Sequence, residues 1–152
     1  MEQAKFEKFN ASDYRVAVVV SQFNGSISED LLNDVLKMLN IYNLPENLIK
    51  IYRVAGCVEI PVILAKLAEN KKYDCLVVIG AVIRGETSHF DYVAKIISEG
   101  VLKVMLDFGI PVGFGILTTD NIKQAQERAS AGGAAAEAAL HNARLLKEIS
   151  KK

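Results

Sequence analysis

The chain has 152 residues, 51% of them apolar and none of them Trp, and its 18 Lys and Arg balance its 18 Asp and Glu. That length supports one domain around a single, mainly aliphatic core. Zero net charge argues against nucleic acid, since a phosphate backbone calls for a basic surplus, and the high apolar fraction predicts surface covered by other subunits.

Residues 1–13 are polar with Phe6 and Phe9 interspersed, and read as an N-terminal arm that orders only against something else. No repeat, linker or low-complexity segment divides the rest, so 1–152 reads as one domain. Arg15 to Val20 is a β-branched run and predicts the first strand. Ser26-Ile-Ser-Glu29 has capping-box spacing and predicts a helix start. Its apolar face is Ile27, Leu31, Leu32, Val35, Leu36 and Leu39. Pro45 marks the return turn and Leu48 to Val54 the second strand.

Ala55-Gly56-Cys57 turns into a helix with Pro61 near its first turn, ending by Asn70. Cys75 to Ile83 is an unbroken apolar run, as suits a strand covered on both faces. A helix over Phe90 to Phe108 follows, stopped by Gly109 and Pro111. Val112 to Leu117 predicts the fourth strand. Thr118-Thr-Asp120 predicts the cap of a helix through Ala129, Gly132-Gly133 a break, and Ala134 to Ile149 a last helix.

This order of elements predicts a flavodoxin-like α/β sandwich of three layers, with a four-stranded parallel sheet between helices on both faces. Ligands of such sheets bind beyond the carboxyl ends of the strands. Four segments fall there: Ser21-Gln-Phe-Asn24, Ala55-Gly-Cys-Val-Glu-Ile60, Arg84-Gly-Glu-Thr-Ser-His89 and Leu117-Thr-Thr-Asp-Asn121.

Within them, Gly85-Glu86-Thr87 either offers backbone donors to a phosphate or is a plain strand–helix turn. His89 can move a proton near neutral pH, or make a structural hydrogen bond at a helix start. Asp91 either orients that ring or favours the helix N-terminus. Arg128 either clamps a phosphate or bonds back to Gln124. Arg84 reads as the partner of a nearby carboxylate. Phe23 either stacks on a planar heterocycle or belongs to the core. Glu59 either bonds a polyol or amide or sits in a helix first turn, and His141 reads as a solvated surface group.

Nucleotide patterns fail: Gly113-Phe-Gly115 lies inside a strand, and no Walker sequence occurs. Cys57 and Cys75 lack zinc-site spacing and make no disulfide framework, so no metal is expected; Cys75 reads as a buried small hydrophobe. The N-terminus has no apolar signal core, and Cys75 to Ile83 falls far short of the about 20 residues that cross a bilayer. The expected location is the cytoplasm.

Five stretches together resemble the lumazine synthase family: Ser21-Gln-Phe-Asn24, Ala55-Gly-Cys-Val-Glu-Ile-Pro61, Gly80-Ala-Val-Ile-Arg-Gly-Glu-Thr-Ser-His-Phe-Asp-Tyr-Val93, Pro111-Val-Gly-Phe-Gly-Ile-Leu-Thr-Thr-Asp-Asn121 and Gln124-Ala-Gln-Glu-Arg-Ala129. The resemblance runs from Arg15 to about Leu146. It implies condensation of 5-amino-6-(D-ribitylamino)uracil with 3,4-dihydroxy-2-butanone 4-phosphate to 6,7-dimethyl-8-ribityllumazine, without cofactor. It further implies that Phe23 stacks on the pyrimidine and that Asn24 belongs to the same site. Cys57, Val58 and Glu59 would line the ribityl pocket, and Ala81, Val82 and Ile83 would hold the uracil edge. Phe114 would come from a neighbouring subunit. Glu86, Thr87 and Arg128 would bind phosphate, and His89 would carry the proton. The implied assembly is a pentamer, with an icosahedral 60-mer as the larger form.

Two departures bear on these expectations. Cys57 and Val58 stand where the family usually has a small Ala or Ser and then a bulky residue. Ser130-Ala-Gly-Gly-Ala-Ala-Ala136 replaces a lysine-bearing loop about two residues longer, which bears on substrate contacts and on assembly beyond the pentamer. The competing readings are an archaeal-type riboflavin synthase, which shares the fold, and a non-catalytic lumazine- or flavin-binding shell protein.

Overall fold

A computed structural model describes residue 2 and residues 4–151. Four aliphatic segments form an all-parallel sheet: β1 (Val16–Ser21), β2 (Ile49–Val54), β3 (Cys75–Ile83) and β4 (Val112–Thr119), in the order β2-β1-β3-β4. β1 and β3 are the inner strands, and in β3 only the last residue, Ile83, is not buried. Its partner β4 runs two residues past the expected end, because Thr118 and Thr119 stay in register with Val82 and Ile83.

Side-chain alternation splits the core into two layers. Val16, Val18, Val20, Val77 and Ile79 face α1 (Gly25–Ile41) and α5 (Ala131–Ser150). Ala17, Val19, Leu76, Val78 and Val82 face α2 (Ile60–Glu69) and α3 (His89–Phe108). The expected face of α1 is inward, with Leu36 only partly covered. Pro61 opens α2 and Gly109, at φ 60°, closes α3, as their chemistry requires. Short 3-10 turns over Glu46–Leu48 and Cys57–Glu59 lead into β2 and α2.

Three local expectations are corrected. The Ser26–Glu29 capping box does not form; α1 starts earlier, after Asn24 in the left-handed region, and Glu29 pairs instead with Arg53 at 3.0 Å. Thr118 caps nothing. Asn121 is the cap of a shorter helix, α4 (Ile122–Gln126), its side chain accepting from the Gln124 amide. Gly132-Gly133 does not break the last helix but lies in the first turn of α5. A Cβ on Gly132 would stand 2.2 Å from the Leu31 carbonyl oxygen, so the pair lets α5 and α1 touch backbone to backbone. The Gly133 amide also donates to Asp34 Oδ2 at 2.7 Å.

The arm packs on its own chain. Phe9 meets Tyr42 and His141 edge-on, Phe6 stacks on His141 at 4.2 Å, and Lys8 pairs with Glu137. His141 is therefore half-buried rather than a solvated group. Tyr42 explains why: its hydroxyl donates to Glu137 Oε2 at 2.6 Å and lies 2.8 Å from His141 Nε2. A carboxylate only accepts, so His141 Nε2–H donates to the tyrosine oxygen. Among the described residues no helix is long and apolar enough to cross a membrane.

Candidate active site

Beyond the carboxyl ends of β1, β2 and β3 the chain encloses a cavity of about 330 Å³. The β1 end supplies Ser21, Phe23 and Asn24, and the turn after β2 supplies Gly56, Cys57, Val58 and Glu59. The β3 end supplies Ala81, Val82 and Ile83, and the start of α3 supplies His89, Phe90 and Val93.

The local backbone explains this gathering. Gln22 and Phe23 amides donate to the Val54 and Ala55 carbonyls at 2.8 and 3.0 Å, so the β1–β2 pairing continues past the strands. Asn24 then turns at φ 58°, which Asn tolerates better than most residues. Its side-chain amide donates to the Ala81 carbonyl at 3.1 Å, tying the turn to β3. Phe23 is 71% exposed and so is presented at the mouth rather than buried in the core.

Gly80, Ser21 and Cys57 meet at the floor. A Cβ on Gly80 would lie 2.7 Å from Cys57 Sγ and 2.9 Å from Ser21 Cβ, so the thiol occupies space that the glycine leaves. Burial pushes the Cys57 thiol up to about 11, with the Ser21 hydroxyl opposing the rise and Glu59 adding to it. Cys57 is therefore a neutral wall group at physiological pH and not a nucleophile. Among the described residues the buried Ser21 hydroxyl reaches no nitrogen or oxygen partner, and the Cys57 thiol is the group it acts on.

His89 lines the cavity as the first residue of α3, its amide donating to Thr87 Oγ1 at 3.3 Å. Asp91 lies 3.6 Å from Arg84, so its carboxylate is committed to that guanidinium. Arg84 pairs as expected, with Asp120 at 3.1 Å as well. Glu86, Thr87, Phe114 and Arg128 are not among the cavity walls of this protomer. Arg128 is exposed and donates to the Gln124 carbonyl at 2.6 Å. Phe114 stands 44% exposed on the edge strand β4.

The charged or ionisable wall residues are thus Glu59 and His89, with Ser21 and Asn24 as further polar groups on a mainly apolar surface. Such a lining suits a neutral, planar, hydrogen-bonding molecule, while an anion would look to cations at the rim. Sequence reasoning did not single out Ser21, Phe90 or Val93. Val93 was findable, since it follows His89 by four residues on the same helix face, whereas Phe90, one residue on, is not signalled by that spacing. Among the described residues no group of three or more His, Cys, Asp or Glu is placed to hold a metal.

A parallel sheet with this cavity at its carboxyl rim defines a flavodoxin-like α/β protein with a small-molecule site. Comparison with known proteins narrows the class. The family model described as 6,7-dimethyl-8-ribityllumazine synthase matches residues 13–147. Curated 6,7-dimethyl-8-ribityllumazine synthases from three strains of Coxiella burnetii are each 43% identical over 143 residues, covering 91% of this chain and 95% of theirs. The chain belongs to the 6,7-dimethyl-8-ribityllumazine synthase family.

Proposed function

We propose that this protein is a transferase of riboflavin biosynthesis that condenses 5-amino-6-(D-ribitylamino)uracil with 3,4-dihydroxy-2-butanone 4-phosphate, forming 6,7-dimethyl-8-ribityllumazine and releasing phosphate and water. The observation that carries this reading is the single cavity that brings Phe23, Cys57 to Glu59, Ala81 to Ile83 and His89 together in a chain of this family. Phe23 stacks on the pyrimidine at the mouth, beside Asn24. The backbone of Ala81, Val82 and Ile83 reads the uracil edge, and Cys57, Val58 and Glu59 receive the ribityl chain.

The phosphate sits outside this apolar wall, on the turn of Glu86 and Thr87 and against Arg128. Glu86 contributes through its amide alone, because its carboxylate would repel the anion. The chemistry is amine attack on a ketone, imine formation, phosphate elimination and ring closure, and it needs alignment more than strong acid or base. Holding two reactants together supplies effective concentrations of about 10⁵–10⁸ M. His89 as proton carrier adds roughly 10²–10⁴-fold.

The site is completed by a neighbouring copy in a homo-oligomer, for which a pentamer is the proposed form. Two features support this. Phe114 is half-exposed on an edge strand, and α3 exposes Tyr92, Ile96, Leu102 and Leu106 along the side opposite its buried Ile97, Val101 and Val104. The proposed location is the cytoplasm.

The test mixes purified protein with both substrates and follows lumazine fluorescence. Formation of product above the uncatalysed rate is expected, and its absence would reject the reading. In the same assay, Arg128→Ala should raise KM for the phosphorylated substrate far more than KM for the pyrimidine. His89→Ala should slow turnover by roughly 10²-fold or more while native mass spectrometry shows the assembly intact.

A further inference from the structure

Helix α4 has five residues, Ile122–Gln126. A single turn of helix does not hold itself, because nucleation costs more than one or two hydrogen bonds return. Side chains hold this one. Thr119 Oγ1 donates to the Asn121 carbonyl at 2.9 Å, the Gln124 amide donates to Asn121 Oδ1 at 2.9 Å, and the Asp120 amide donates to Gln124 Oε1 at 2.9 Å.

Arg84 enters this knot from the end of β3. Its amide donates to the Thr119 carbonyl at 2.8 Å and its Nε donates to Asp120 Oδ1 at 3.1 Å. The same guanidinium lies 3.6 Å from Asp91 in the first turn of α3 and 4.3 Å from the centroid of the Phe90 ring. At the far side of the knot, Arg128 Nη1 donates to the Gln124 carbonyl at 2.6 Å. An unbroken run of polar contacts therefore joins the turn that presents His89 to the turn that presents Arg128.

We propose that Arg84 is a positioning residue for the condensation, setting where each copy of the chain holds its Arg128 guanidinium and its His89 imidazole. The proposal rests on the reading of Arg128 as the phosphate cation and His89 as the proton carrier. A direct phosphate role for Arg84 fits the geometry poorly, since two carboxylates and a ring face already engage it, and an incoming anion would have to displace a like charge. A purely stabilising role also fits poorly. The Arg84, Asp91 and Asp120 side chains are 47%, 63% and 72% exposed, and exposed ion pairs contribute little to global stability. Their geometry matters more than their energy, because the planar fork of an arginine fixes two carboxylates at once where an ammonium cannot.

The experiment is steady-state kinetics on Arg84→Ala, Arg84→Lys, Asp120→Asn, Arg128→Ala and the Arg84→Ala/Arg128→Ala double variant, varying each substrate in turn, with native mass spectrometry alongside. Arg84→Ala is expected to raise KM for the phosphorylated substrate at least roughly tenfold, within the about 10²-fold that a 1 Å misplacement of a site group costs. KM for the pyrimidine should stay within about twofold and the assembly should persist. Arg84→Lys and Asp120→Asn should fall between wild type and Arg84→Ala. In the Arg128→Ala background, Arg84→Ala should add nothing to that KM, the signature of one residue acting through the other. Multiplicative effects, equal increases in both KM values, or wild-type kinetics in Arg84→Lys and Asp120→Asn together with loss of assembly in Arg84→Ala would overturn the proposal. An unchanged phosphate KM in Arg128→Ala itself would show that the underlying reading of Arg128 has failed, a result distinct from failure at Arg84 alone.

Discussion

Replacing Gly80 with alanine probes the cavity floor most directly. The new methyl would stand 2.7 Å from Cys57 Sγ and 2.9 Å from Ser21 Cβ, with Ile116 Cδ1 at an ordinary 3.5 Å. Carbon pairs settle at about 3.5–4.0 Å, so both close contacts are deep overlaps. Ser21 Cβ is fixed to a central strand and cannot yield, whereas Cys57 ends in a single rotatable group. Overpacking of this kind costs about 1–3 kcal/mol, and the lost freedom of the unfolded glycine returns about 0.4–1 kcal/mol. A net loss of about 1–2 kcal/mol is expected, which lowers Tm by roughly 2–8 °C in a chain of this size. Cys57→Ala should by itself cost about 1 kcal/mol as a small vacated volume. In the double variant the Gly80→Ala methyl moves into that volume, and the two losses should fall short of additive by about 1 kcal/mol. Urea unfolding at one fixed protein concentration measures the cycle, because any assembly makes stability concentration-dependent. Additivity within about 0.3–0.5 kcal/mol, or an unaltered midpoint in Gly80→Ala, would refute the argument that the thiol sits in the space of a missing side chain.

Other residues give sharp tests. Asn24 at φ 58° should tolerate glycine better than alanine: both lose the bond to the Ala81 carbonyl, but only alanine adds about 1–2 kcal/mol of left-handed strain, so equal melting temperatures would contradict the account. The Cys57 thiol, pushed up to about 11 by burial, should react slowly with a disulfide reagent at neutral pH and faster as pH rises, and rapid labelling at pH 7 would show the group to be exposed. His141 is held below its ordinary 6.5 by burial first, with Arg144 and Lys8 in the same direction and Glu137 opposing. The unfolded chain therefore takes up that proton more readily than the folded one, so this contribution is present at neutral pH and is lost as pH falls from about 6.5 through the lower folded value. The unfolding free energy of His141→Phe should accordingly decline less between pH 7 and 5 than that of the wild type, and parallel slopes would refute it.

The sheet was legible because its strands are apolar runs whose meaning depends little on context. Cys75 to Ile83 reads as a doubly covered strand at either level of description, and Pro61 and Gly109 act where their backbone chemistry permits nothing else. Signals that depend on a distant partner misled. Glu29 lies at capping distance from Ser26 along the chain, yet its partner is Arg53 on β2. Gly132-Gly133 carries the letters of a helix break, and only the neighbouring Leu31 backbone reveals a contact surface. His141 sits on an Ala-rich helix that looks solvated until Phe6 and Tyr42 arrive from the other end of the chain. At the candidate site, strand-end position brought residues of three of the four expected segments to the cavity wall, while residues 117–121 after β4 contribute none in this protomer. The Ser21–Gly80–Cys57 floor stayed hidden, since it depends on the register Val20↔Ile79 between β1 and β3 and not on any local pattern.

The meeting of α5 with α1 has a genetic consequence. Every nucleotide substitution that changes a glycine codon to another amino acid introduces a Cβ, and at Gly132 that atom would fall 2.2 Å from the Leu31 oxygen. No missense step at this codon is mild, so natural variants of this chain should be silent there unless α1 has changed first. The codon for Gly85, whose Cβ would meet nothing within 4 Å, carries no such steric veto.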